Sequence, residues 1–377
     1  MEYFAWGLAL AACGFVILLL YLDLSPRGFL YKVAKRFAVP RESLRPVVRD
    51  APYRRRTSGK PSHKPVLLNL ETSEGSGQAC HPDIVHISQG FGPERWPYWL
   101  ACTPYPYGDA HFENPEIFVS YDGINWSVPE SLQNPLVPSP KNPGDHHSDP
   151  DLLFHANQLW LFYRLTLRGK RSDRTATENR IYLIKSLDGI RWTTPAEVLS
   201  DKAGGQHLSP AVIHDGAQFL MWTIEVHGGC LRLVRRSSPD GLTWNNPTVA
   251  SVAGLHGGRF PWHIDVIQEE GRLSAALVSC TALGGRGARI HYAHSEDQGL
   301  TWVAGGFLFE QVYEFESKTQ YRATLRAVPG TNHEYQLWYS AGSLSGVFSV
   351  AYLRVARTQD RLIPLEWARE QVSPVRV

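Results

Sequence analysis

Methionine is nearly absent, with 2 in 377 residues, and cysteine is scarce at 5. So few cysteines, with Cys13 inside an apolar run, exclude a disulfide-dense scaffold. Cys102 and Cys280 stand in matching ACT and SCT contexts and read as small buried residues, while a Cys80–Cys102 pair stays open. Charge of one sign is lacking too. The 38 Lys and Arg against 36 Asp and Glu leave a formal +2, too little to indicate nucleic acid as a partner. What the chain has in quantity is aromatic: 12 Trp, 16 Tyr and 15 Phe, a balance suited to packed sheets and sugar-stacking surfaces.

Only one uncharged run is long enough to cross a bilayer as a helix, FAWGLALAACGFVILLLYL at 4–22. Glu2 alone is charged before it and bulky residues end it, which predicts an uncleaved single-pass anchor. Arg27, Lys32, Lys35 and Arg36 follow, a flank that favours the cytoplasmic side and lipid headgroups. Residues 37–63 are rich in Pro, Arg and Ser and read as a linker. The expected organisation is an anchor and basic segment over 1–36, a linker over 37–63 and a folded domain over 64–377.

Within that domain a box recurs: SYDGINW from 120, SLDGIRW from 186, SSPDGLTW from 237 and SEDQGLTW from 295. Asp and Gly supply a turn, and the Trp packs back on a sheet. Upstream lies a second repeat with five copies: HPDIVHI from 81, DPDLLFH from 149, SPAVIHD from 209, HIDVIQE from 263 and YRATLRA from 321. Each begins a strand, hairpin, strand, loop, strand unit, so the fold class is all-β, a five-bladed β-propeller behind one N-terminal transmembrane helix. The fifth unit lacks a box, and KPVLLNLE at 64–71 is expected to add an outer strand to it and close the ring.

Inner strands of a propeller start at the mouth of its channel, so the heads of the five repeats converge there. They contribute His81, Asp83, Asp149, Asp151, Ser209, His263, Asp265, Tyr321 and Arg322, and the ends of second strands add Arg164 and Glu225. Asp83 and Asp265 align with Ala211 and Ala323, so the repeat itself does not demand Asp there. Carboxyl groups held together in a funnel can divide into a proton donor and an ionised partner, as cleavage of a glycosidic bond requires. Tyr105 and Glu113, from the loop PYPYGDAHFENPE, are placed near the mouth to contact substrate. No cofactor and no metal is expected, although His146 and His147 lie close to Asp149 and Asp151 in sequence.

The boxes resemble the Asp boxes of bacterial neuraminidase-like repeats. Five blades, and Asp-Pro-Asp at the head of an inner strand, resemble the family-43 arabinanase and xylosidase type and the related invertase-type enzymes. That resemblance implies a catalytic Asp in blade one, a pKa-tuning Asp in blade two, where Asp149 stands, and an acidic Glu in blade three. The chain departs from it twice, with His81 in the blade-one position and Ser209 in the blade-three position. The catalytic set is then expected to be Asp83, Asp149, Asp151, Glu225 and Asp265. His81, Arg164, His263, Tyr321, Arg322, Tyr105 and Glu113 are expected to bind substrate. The functional expectation is a membrane-anchored glycosidase acting on a polysaccharide or oligosaccharide, with a phosphorylase or an inactive glycan-binding propeller as alternatives and the side of the membrane open.

Overall fold

The structure, a computed structural model, describes residues 64–142, 144–168, 177–200, 206–227, 230–331, 333–358 and 361–365. Among them no helix is long and apolar enough to cross a membrane. The expected anchor, basic flank and linker lie outside the described residues.

Alternating apolar residues between Gly- and Asp-rich turns give antiparallel strands grouped as blades. After a short β1 (Val66–Leu67), blade one holds β2 (Ala79–Phe91), β3 (Trp96–Pro104) and β4 (Glu116–Ser120). Blade two holds β5 (His146–His155), β6 (Gln158–Arg168), β7 (Thr177–Ser186) and β8 (Ala196–Ser200). Blade three holds β9 (Gln206–His214), β10 (Phe219–His227), β11 (Cys230–Ser238) and β12 (Thr248–Ala253). Blade four holds β13 (Phe260–Glu269), β14 (Arg272–Cys280), β15 (Arg289–Ser295) and β16 (Thr301–Phe307). Blade five holds β17 (Thr319–Ala327), β18 (Glu334–Gly342), β19 (Phe348–Thr358) and β20 (Arg361–Pro364).

The inner strands β2, β5, β9, β13 and β17 each touch the next, and β17 returns to β2, so the blades form a ring. Val66 and Leu67 pair with Tyr352 and Ala351 on the outer edge of β19, the closure expected from the segment 64–71. Blades three and four share one sheet, because β12 pairs in parallel with β16. Blade one has no full fourth strand; Ser127 bridges Val119, and the Asn134 side chain bonds both the N–H and the carbonyl of Ile117. That side chain occupies an edge otherwise open to another strand.

The boxes form the turns between third and fourth strands. In each, the Asp carboxylate accepts backbone N–H groups two to four residues on, as Asp188 does from Ile190 and Arg191 at 2.8 Å, and a Ser hydroxyl takes the glycine N–H. The box glycines have positive φ, and each lies on a tryptophan of another blade: Gly123 on Trp338, Gly189 on Trp99, Gly241 on Trp160 and Gly299 on Trp222. A box therefore locks its blade onto the second strand of the blade before it. Blade five has no box, and β14, the strand it would have met, has no tryptophan. That junction is held instead by Glu269, which accepts hydrogen bonds from Tyr335 Oη and Arg357 Nη1.

Candidate functional site

Every inner strand slips register at its head, between Cys80 and Asp83 in β2 and between Ser148 and Asp151 in β5, with equivalent slips in the β9, β13 and β17 ladders. His81, Asp149 and Ser209 stand at these bulges with φ of 54°, 51° and 53°, each followed by proline. A bulge re-aims a side chain. Here it separates the first and third positions of the repeat, which a regular strand would put on one face.

The first positions form the site. His81 Nε2 lies 3.1 Å from Asp149 Oδ1, and His263 Nδ1 lies 3.8 Å from that same oxygen. Arg164 Nε holds Asp149 Oδ2 at 2.9 Å, and the Ser209 N–H donates to it at 3.3 Å. Thr103 Oγ1 lies 3.1 Å from His81 Nδ1, and Ser209 Oγ lies 2.7 Å from His263 Nδ1, so each imidazole is oriented through one nitrogen. Arg322, fully buried, stands beneath with Nη1 3.8 Å from Asp149 Oδ1. The Tyr321 ring packs on both imidazoles, 5.3 Å from His81 and 4.9 Å from His263. Tyr105 stacks edge-on against Phe348, and Phe348 touches Tyr321, so an aromatic wall continues outward from the imidazoles.

Electrostatics divide the ionisable groups. Burial pushes the His81 pKa down to about 3 and that of His263 well below its ordinary value, so both rings are neutral. Burial alone would raise the Asp149 carboxyl, but the Arg164 guanidinium above all, with Arg322, outweighs it and holds it far below the usual carboxylate range. Glu113, 3.7 Å from His81 Nδ1, goes the other way, pushed well up by burial and by Asp149. Of the residues expected to contact substrate, His81, Arg164, His263, Tyr321, Arg322 and Glu113 gather around Asp149, and Tyr105 joins them through Phe348.

The third positions bond the backbone of neighbouring blades. Asp83 accepts from the Leu152 N–H of blade two, Asp151 from the Val212 N–H of blade three at 2.9 Å, and Asp265 from the Leu325 N–H of blade five at 2.8 Å. Arg326 bridges Asp83 and Asp265 at 3.2 and 2.9 Å, and Thr324 Oγ1 donates to Asp83. Of the three aspartates read from sequence as catalytic, Asp83 and Asp265 thus share the Arg326 guanidinium, Asp151 lies 3.9 Å from Arg322 Nη2, and each accepts a backbone N–H from a neighbouring blade. Glu225, read as a general acid, accepts from Arg232 and Arg236, both at 2.9 Å. Those hydrogen bonds outweigh the upward push of burial and keep its carboxyl low, whereas a general acid must hold its proton.

A metal site was not expected, yet the donors for one are present. Ligand atoms of His81, Asp149 and His263 lie within 4.8 Å of one another. Among the described residues, His81 Nε2, Asp149 Oδ1 and His263 Nε2 are buried with no hydrogen-bond partner. Buried polar atoms are nearly always partnered, and these three, two of them 3.1 Å apart, form a donor set that a cation would satisfy. Two neutral imidazoles and one carboxylate suit a divalent transition ion. Sequence spacing around 146–151 pointed elsewhere, because these donors come from three blades.

The fold is a five-bladed propeller with the architecture of family-43 and invertase-type glycoside hydrolases. A thermostable family-43 glycoside hydrolase matches with a TM-score of 0.56 at 13% identity over 76% of this chain and 92% of its own. The xylan β-1,4-xylosidase of Bacillus halodurans C-125 gives 0.59 at 15% identity over 81% of this chain and 58% of its own. An N-acetylgalactosamine deacetylase from Flavonifractor plautii, solved with blood group B trisaccharide, gives 0.68 at 20% identity over 78% of this chain and 95% of that one. In sequence, the A type blood N-acetyl-α-D-galactosamine deacetylase of that organism is 26% identical over 324 residues, 72% of this chain and 41% of the relative. The chain therefore spans less than half of that relative's length. No protein-family profile matches it.

Proposed function

We propose that the protein is a hydrolase that removes the acyl group from an N-acylated amino sugar of a glycan, with a divalent cation held by His81, Asp149 and His263. The observation that carries this reading is the convergence of three buried, unpartnered ligand atoms on an aromatic-walled funnel. The likeness to a deacetylase supports the choice of bond. A bound cation would supply the Lewis acidity and the acidified water that amide hydrolysis needs near neutral pH.

The chain's own residues prepare that chemistry. Arg164 and the Ser209 N–H engage one oxygen of Asp149, and the other faces His81 Nε2 and His263. Thr103 and Ser209 orient the two imidazoles, the role that outer-shell partners have in such sites. Glu113 keeps its proton beside His81 and is the group suited to deliver it to the departing amine. Tyr321, Phe348 and Tyr105 offer an apolar wall to a sugar face or an acetyl methyl.

A glycosidase is the second reading, favoured by the opposed shifts of Glu113 and Asp149, which would serve as acid and ionised partner. One experiment separates the two. Full-length protein stripped by a chelator is incubated with N-acetylhexosamine-terminated oligosaccharides, with and without Mn²⁺ or Zn²⁺ and with and without phosphate, and acetate and free sugar are both measured. Acetate release that depends on the cation is expected. Release of free sugar or sugar phosphate independent of any cation would overturn the proposal. Anchoring through residues 4–22 belongs to the same proposal and is checked by fractionating cells expressing the full chain and a chain starting at residue 60.

A further inference from the structure

A second cluster of polar side chains lies outside this site, at the upper end of blade four. Arg259 Nε donates to Ser279 Oγ at 2.6 Å, and its Nη2 donates to the carbonyls of Ser279 and Gly287. Ser279 Oγ lies 2.7 Å from His291 Nε2, and His291 Nδ1 lies 2.8 Å from the Gly305 carbonyl. A carbonyl only accepts, so Nδ1 carries the proton, Nε2 accepts from Ser279, and Ser279 accepts from Arg259. This relay fixes the first guanidinium in place and leaves its Nη1 without a protein partner among the described residues.

Arg289 is 8% exposed and donates through Nη2 to the Phe309 carbonyl and to Glu310, both at 3.1 Å. Its Nε is buried and unpartnered. Both guanidinium carbons lie over the Phe307 ring, 5.1 Å away for Arg259 and 4.2 Å for Arg289, and that ring is 42% exposed. Two cations thus share one aromatic ring, with one carboxylate, Glu310, itself 63% exposed, to balance them. Holding two guanidinium groups together this way is costly unless an anion joins them, and each has a donor to spare.

The cluster adjoins the funnel. The loop between β14 and β15, which supplies the Gly287 carbonyl to Arg259, lies against the site two residues earlier, where Gly285 packs on Trp262 and on the Tyr321 ring that touches His81 and His263. An exposed aromatic ring beside paired guanidinium groups matches a pyranose ring bearing a carboxylate or sulfate.

We propose that Arg259, Arg289 and Phe307 form a subsite for an anionic sugar, a uronate or sulfated residue of the same glycan whose amino sugar enters the funnel. The assignment deepens the glycan reading above and rests on it. The test is binding to the full-length protein, by calorimetry or ligand-observed NMR, of methyl β-D-glucuronide, methyl β-D-glucoside and inorganic sulfate. The glucuronide is expected to bind about tenfold more tightly than the glucoside and to weaken as salt rises. Arg259→Gln should abolish the difference, and Glu310→Gln, which frees Arg289, should strengthen glucuronide binding roughly threefold, a gain that misfolding cannot imitate.

Equal binding of glucuronide and glucoside, or binding unchanged by both variants, would sink the proposal. Sulfate binding as tightly as the glucuronide would overturn its assignment to a sugar. Because binding is read without turnover, a failure here leaves the acetate assay untouched, and absence of acetate release with an intact glucuronide preference would remove only the reaction assigned to the funnel.

Discussion

Alanine at Gly189 should be among the most damaging single substitutions in the domain. The glycine has φ +77°, and a Cβ there would fall 2.0 Å from Cη2 and 2.4 Å from Cζ3 of Trp99, a side chain with no exposed surface. The left-handed backbone alone costs about 1–2 kcal/mol for a residue with a Cβ. Forcing a methyl into a packed indole adds typically about 1–3 kcal/mol, so the total is about 2–5 kcal/mol. Gly257 is the internal control, with φ +68° and nothing within 4 Å of its virtual Cβ, so Gly257→Ala should show the backbone cost alone. Urea unfolding of the two variants beside the parent gives the comparison through the shift in midpoint at constant slope. Equal destabilisation by the two substitutions would mean that the box does not lock blade two onto blade one.

Other outcomes follow from the buried charges. Burial pushes the Glu116 carboxyl up to about 7 although Ser73 donates to it, so folding favours its protonated form. Its contribution is complete below pH 4.5, is lost as pH rises toward 7, and amounts to roughly 3 kcal/mol at most. Glu116→Gln should therefore raise the unfolding midpoint at pH 8 and leave it unchanged at pH 4; an equal shift at both values would count against this. Arg326→Met strands Asp83 and Asp265 and should cost about 3–5 kcal/mol in urea unfolding, part of it regained by adding Asp83→Asn; no loss would mean that the bridge is not formed. Arg164→Met removes the guanidinium from Asp149 Oδ2 and should weaken Mn²⁺ binding about tenfold or more, measured by titration of the stripped protein, whereas unchanged affinity would take Arg164 out of the site's support.

The blades were legible in the sequence because a turn that packs on a neighbouring tryptophan leaves the same residues at each recurrence. The funnel was legible in part for a related reason. Aligning the five inner strands singled out His81, Asp149, His263, Tyr321 and Arg322, all at or beside first positions of the repeat, and the structure brings them together. Asp83, Asp151 and Asp265 were drawn into the same set by the two-residue period of a strand. The bulge at each head breaks that period, and its positive φ at His81 and Asp149 had no glycine or asparagine to announce it. Glu225 ended an apolar strand as a substrate-facing acid would, but its partners Arg232 and Arg236 come from the next strand and become visible only with the register. The His81, Asp149 and His263 donor set leaves no spacing signature, since about 68 and 114 residues separate its members.

Closure of the ring has a consequence for biosynthesis. Val66 and Leu67 emerge early and must wait for Ala351 and Tyr352, so the last blade gains that edge strand only when nearly the whole domain has been translated. His81 stands just after this seam and Tyr321 just before it, and their rings meet 5.3 Å apart across it. A nascent or truncated chain therefore has no competent funnel, however well its first four blades have formed. Completion of the fifth blade and assembly of the site become a single event.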